Sequence, residues 1–120
     1  MTRPRPRNKL PKFSNNMATK LPLSQLLRLG SAKVKQTKGS LMDCHPETGV
    51  VYQACAVGMM AVGLADSLKL EDCDAAMSEI FNRFDDLTVP LGLRTTITSW
   101  NDNNSLTPEQ IAERLEAIGQ

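Results

Sequence analysis

The sequence predicts an α+β fold: one small domain, with a short β-hairpin packed on four to five helices, preceded by an irregular basic arm. Three observations predict it. The turn residues Pro46-Glu47-Thr48-Gly49 separate two short runs, Ser40–His45 and Val50–Gln53, that suit extended backbone. The unbroken small and apolar run from Ala54 to Leu64 is longer than an ordinary strand and rich in Ala and Met, which favour helix. Thr107-Pro108-Glu109-Gln110 is a helix start, with Thr107 as N-cap, Pro108 at the first position and Gln110 completing a capping box. A chain of 120 residues holds one domain at most. Its natural division is a basic arm at 1–20 and a body at 21–120.

The arm, MTRPRPRNKLPKFSNNMATK, contains Pro4, Pro6 and Pro11, which block helix and favour extended backbone. Leu10 and Phe13 are its two apolar anchors. Met17 opens a stretch that itself reads as a protein start, so the first sixteen residues have the character of an extension on an older core. In the body, Ser24 is placed to N-cap a short helix whose apolar side is Leu23, Leu26, Leu27 and Leu29, with Gly30 ending or weakening it. Ala32 to Lys35 alternates in polarity and fits either extended chain or a further helical turn. The hairpin follows, then the central buried helix over Ala54–Leu64. Gly58 and Gly63 each cost that helix about 1 kcal/mol relative to alanine, so close approach by another backbone is the expected compensation.

A further amphipathic helix is predicted from Glu71 or Asp72 to about Asp86, with Cys73, Ala76, Met77, Ile80, Phe84 and Leu87 on adjoining stripes and acids early, where the helix dipole favours them. Val89-Pro90-Leu91-Gly92 breaks it. A helix is expected over Arg94–Trp100, then a polar turn at Asn101–Ser105. The last helix buries Ile111, Leu115 and Ile118 and stops at Gly119.

Charge is segregated along this framework. The first thirty-eight residues hold ten of the fourteen Lys and Arg and none of the thirteen acids, so a net charge of +1 conceals opposed halves. Arg3, Arg5, Arg7, Lys9 and Lys12 lie within ten residues without an opposing charge, which makes them the leading binding candidates, for a polyanion or an acidic partner. No helix-turn-helix, zinc-finger or RNA-recognition signature accompanies them. The plainer reading is a solubilising tail. No run of eighteen apolar residues is present, so no membrane partner is expected. Three cysteines in no disulfide pattern fit reduced thiols, and the expected location is the cytoplasm of a host cell, with a virion as the alternative.

The remaining candidates form a pocket hypothesis from Cys55, Trp100, Asn101 and Asp102. Cys55 falls where strand gives way to helix, and amides at a helix start favour a thiolate. The competing and preferred reading is a small buried residue. Asn101 and Asp102 beside Trp100 have the chemistry to line a small-molecule site. The preferred reading is structural, with their side chains bonding nearby backbone amides and Trp100 anchoring the core. Cys44, His45, Cys55 and Cys73 lack the paired spacing of a zinc knuckle, so no metal and no cofactor are expected. Asp85-Asp86, Glu71-Asp72 and Asp74 flank one helix at its ends and read as solvated acids, or as the mate of another copy's arm. No catalytic set is recognisable, and the chain is expected not to be an enzyme.

Three stretches, LSQLLRLGSAKVKQTKGSLMD (23–43), ACAVGMMAVGLA (54–65) and ITSWNDNNSLTPEQIAERLEAIG (97–119), together resemble a loose group of short uncharacterised proteins from phages, mobile elements and bacteria. That group carries a Leu-rich opening, a Cys-Ala-Leu-Gly-Ala run and a later Asn-Asp followed by a capped Glu-Glu-Ile-Ala helix. Cys55-Ala56-Val57-Gly58-Met59 stands in for the middle motif, with Met59 where the group has a small residue. Asn101-Asp102 and Glu109-Gln110-Ile111-Ala112 stand in for the last. The arm lies outside the resemblance. What the likeness implies is a small fold of phage-like origin. The expected function is therefore a non-enzymatic accessory or anti-defence protein that binds, and inhibits, a host or phage protein or a nucleoprotein complex. The alternatives are a virion component that self-assembles, and a small nucleotide-binding or thiol-dependent protein using the pocket residues.

Overall fold

The structure is a computed structural model that describes residues 21–120. The arm candidates Arg3, Arg5, Arg7, Lys9 and Lys12 lie outside the described residues. The order of elements is α1 (Leu23–Ser31), β1 (Lys35–Gln36), β2 (Met42–Cys44), β3 (Val51–Ala54), α2 (Ala56–Leu64), α3 (Leu70–Phe84), α4 (Leu93–Asp102) and α5 (Pro108–Ala117). This is the predicted α+β class, with the hairpin and five helices among the described residues, and with a third strand besides. The strand order is β1-β3-β2; β2 pairs antiparallel with β3 and β1 parallel to it. The open choice at residues 32–35 divides: Ala32 and Lys33 turn the chain out of α1 and Val34 is a bend, while Lys35 opens the extended pair with Gln36 that adds an edge to the hairpin.

The fold is organised around α2. All nine of its residues are buried. A helix apolar on every side must be covered on every side, and α1, α3 and α4 all pack against it. Side chains such as Met59, Met60 and Val62, at 0–1% exposure, each contribute roughly 1.5–3 kcal/mol of transfer free energy when fully buried. The glycines do what their cost predicted. A Cβ on Gly58 would collide with the Leu41 carbonyl, and one on Gly63 with the Leu26 carbonyl. A third close approach, at Gly30, was not expected. Gly30 lies inside α1, buried, where a Cβ would strike the Met59 carbonyl. It does not end the helix. It lets α1 and α2 touch backbone to backbone, so the tight contact runs through the glycines and Met59 supplies only its main chain at this point.

Several expected details are corrected. Ser24 is not the N-cap of α1. Pro22 holds that position, Ser24 is buried in the first turn, and its N–H donates to the Gln120 carbonyl at 2.9 Å. Leu29 lies off the α1 stripe formed by Leu23, Leu26, Leu27 and Gly30, and is 41% exposed. In α3 the stripe is Cys73, Ala76, Met77 and Ile80. Leu87 falls beyond the helix end and is fully exposed. The chain turns away there because Asp86 Oδ1 accepts from both Thr88 N–H and Thr88 Oγ1, at 2.8 and 2.7 Å. α4 runs two residues further than predicted, so Asn101 and Asp102 are helical and the turn begins after them. In α5 the capping box is formed as predicted: Gln110 N–H donates to Thr107 Oγ1 and Thr107 N–H to Gln110 Oε1. Ile118 lies past the helix and is 46% exposed, whereas Ala112 is buried. Among the described residues no helix is long and apolar enough to cross a membrane.

One ion cluster fastens α5 to α1. Arg28 donates to both carboxylate oxygens of Glu109 and to both of Glu116, at 2.6–3.1 Å. The guanidinium is raised well above its ordinary value by these hydrogen bonds, and the same bonds lower both carboxylates. Lowered carboxylates stabilise the fold above their unfolded pKa, near 4.5, and lose that contribution as pH falls through the folded value. The raised Arg28 guanidinium is charged in the folded and the unfolded chain alike across any practical pH range, so it adds no pH dependence of its own. Arg28→Met should therefore lower the urea midpoint at pH 7 and much less at pH 3, with the two curves converging below about pH 4.5. An equal loss at both pH values would show that Arg28 acts through packing alone.

Candidate functional site

Three of the four pocket candidates, Cys55, Asn101 and Asp102, meet where β3 passes into α2. Cys55 is the N-cap residue of α2, as expected from its place at a strand-to-helix junction, and is 5% exposed. Burial raises its thiol pKa, and Asp102 adds to the rise. Backbone amides of Gly58 and Val57 pull the other way, the predicted helix-start effect, but desolvation is the larger influence. The amides at this helix start are already engaged. Cys55 N–H donates to the Ser40 and Leu41 carbonyls, and Ala56 N–H to Asn101 Oδ1 at 3.0 Å. Cys73 is likewise raised by burial first, and by Asp72 and Asp74. Cys44 is the partly exposed thiol of the three.

Asn101 is fully buried, and its side chain is completely used. Oδ1 accepts from Ala56 N–H and, at 2.9 Å, from Gln36 Nε2. Nδ2 donates to the Thr37 carbonyl at 2.9 Å and to Asp102 Oδ1 at 2.7 Å. Asp102 in turn accepts from Gly39 N–H, and Gln36 also donates to the Leu106 carbonyl. A buried amide with both donors and both acceptor sites filled is a tie within the fold. The predicted structural role holds in kind, but its partners differ. Asn101 does not close its own loop; it joins α4 to the β1 edge and to the start of α2, across 45 to 65 residues of sequence.

Trp100 does not share this site. It is partly buried, packs at the margin of the core, and carries the Arg114 guanidinium 5.3 Å from its ring centroid. It packs against the core, as an aromatic anchor would, from its edge; Leu, Ile, Met and Val fill the centre. Of the four, the fold brings together Cys55, Asn101 and Asp102. Sequence reasoning missed Gln36 and Thr37, which complete the network. A signal was present in the polar residues of a short edge strand, but nothing local indicated what they would bond.

The acids behave as surface groups. Asp72 accepts from Ser67 Oγ, Asp86 caps the turn after α3, and Glu71 and Asp72 sit in the first turn of α3. Among the described residues, no group of three or more His, Cys, Asp or Glu side chains is placed to hold a metal ion. The chain matches no protein family, no curated protein and no solved structure.

Proposed function

We propose that the protein acts by binding another macromolecule, with the basic segment in residues 1–20 docking on a polyanion and the α+β body serving as its rigid platform. The observation that carries this reading is the charge distribution. Residues 1–20 hold six Lys and Arg and no acid, while the body holds all thirteen acids. In the body, the residues best suited to chemistry are committed elsewhere: Asn101 has every polar atom bonded, and the Cys55 thiol is buried and raised. An accessory protein of phage type that blocks a host nucleoprotein complex is the biological role this fits.

The test is anisotropy with a labelled DNA duplex across a salt series. If Arg3, Arg5, Arg7, Lys9 and Lys12 each neutralise a phosphate, the log–log slope is about −4 to −5. The full chain with all five changed to Ser should lose most of the affinity and of the slope. Binding that is indifferent to salt, or unchanged in that variant, overturns the reading. Self-assembly is the second reading. It draws on Leu87 and Leu91, both fully exposed beside Asp85 and Asp86, a patch of the polarity another copy's arm would meet. Mass photometry on the same samples that finds monomer at every concentration removes it.

A further inference from the structure

The body is acidic overall, yet one groove on it contains no acid. It has a volume of about 490 Å³ and lies between the end of α1, β1 and the hairpin. Lys33, Lys35, His45 and Tyr52 line it, over a floor that includes the buried Val34 and Val51. The topology assembles these residues from three places. Parallel pairing sets Lys35 opposite Gln53, next to Tyr52 on β3. The hairpin brings His45 back against the same strand, its N–H donating to the Val50 carbonyl at 2.9 Å. The His45 and Tyr52 rings then stack, with centroids 4.4 Å apart and planes 21° from parallel. Tyr52 retains 41% exposure and His45 is exposed.

Lysines on β1 have an ordinary explanation, since charge on an edge strand deters pairing with another sheet. That explanation does not cover a stacked ring pair held at the surface. An exposed aromatic platform costs the fold buried area that a core position would have gained, and it sits beside two cations and an apolar floor. Lysines that track a phosphate backbone, together with a π surface that accepts any base, are the two parts of a single-stranded nucleic-acid site. We infer that this groove binds single-stranded nucleic acid, with a base stacked on the Tyr52–His45 pair and a neighbouring phosphate on Lys35, while Lys33, whose Nζ donates to the Val62 carbonyl, adds positive charge at the margin. The inference rests on the binding reading above and names the partner class that the body itself would recognise. Duplex is the poorer fit, because its bases are already stacked and unavailable to the rings.

The experiment uses the full chain and three labelled probes of equal length: single-stranded oligo-dT, the same backbone without bases and hence of the same charge, and a duplex. Tyr52→Ala should weaken oligo-dT binding about fivefold or more and leave the abasic strand unchanged. Lys35→Ala should weaken both strands and reduce the salt slope by about 0.7. Tyr52→Leu, which keeps an apolar side chain on β3, guards against unfolding and should behave as Tyr52→Ala does. Equal affinity for oligo-dT and the abasic strand in the wild type, or an unchanged oligo-dT affinity in both Tyr52 variants, overturns the groove. The chain with its five arm residues changed to Ser separates the two proposals. If it keeps a Tyr52-dependent preference for oligo-dT, the groove stands without the arm. If all binding vanishes there while Tyr52→Ala has no effect, the arm stands and the groove fails.

Discussion

Replacing Asn101 with Leu should destabilise the fold by about 3–5 kcal/mol, one of the largest effects available to a single substitution in this chain. Leucine keeps the branched heavy-atom skeleton of asparagine but has no polar atom, so every hydrogen bond of the amide is lost, and its larger bulk adds to the loss. Ala56 N–H and the Thr37 carbonyl lose their partner at a fully buried position, and Gln36 keeps only the Leu106 carbonyl. Each buried group left unsatisfied costs about 1–3 kcal/mol. Set against a typical total of roughly 5–15 kcal/mol, that is a large fraction of the stability. Urea unfolding followed by Trp100 fluorescence gives the number directly. A midpoint within 0.5 M of wild type, at an m-value of roughly 1–3 kcal/mol/M, would mean that the network is dispensable.

Gly58→Ala and Gly30→Ala should each destabilise by about 2 kcal/mol or more, and here two effects have opposite signs. Helix propensity alone favours alanine by up to about 1 kcal/mol at both positions. Packing opposes it, because the new methyl would overlap the Leu41 carbonyl in one case and the Met59 carbonyl in the other. Both obstacles are backbone, which cannot rotate aside as a side chain does, so the overpacking penalty of about 1–3 kcal/mol or more decides the sign. Gly30→Ala and Gly63→Ala press on the same α1–α2 contact, so their combined loss should fall short of the sum. A thermal midpoint equal to or above wild type in either single variant would show that the helices can separate at little cost.

These two predictions also mark what could and could not be read in the chain. α5 was legible almost to the residue, because Thr107, Pro108 and Gln110 act on amides three positions away and leave a local signature. The buried nature of α2 was legible from unbroken apolarity, and the tight packing of Gly58 and Gly63 from the cost they would otherwise impose. β1 was left open because two residues of parallel strand carry no periodicity; Lys35 and Gln36 become strand only through β3, eighteen residues away by register. Gly30 was misread because a glycine that ends a helix and one that admits another helix look alike until the neighbour is known. Leu87 followed the α3 repeat on paper, but the Asp86–Thr88 turn had already redirected the chain. Asn101 shows the same limit at the site. Its type suits a turn, and only the third dimension reveals that its partners are Gln36, Thr37 and Ala56.

That arrangement governs how the body can be divided. The amide of one late residue holds the edge of an early sheet and the first turn of the middle helix, and the Gln120 carbonyl holds the start of α1. No cut in the long connection between α3 and α4 leaves two self-sufficient modules, since each fragment would keep donors and acceptors whose mates lie in the other. The hundred described residues are therefore expected to melt in one cooperative transition, coincident when followed by circular dichroism and by Trp100 fluorescence.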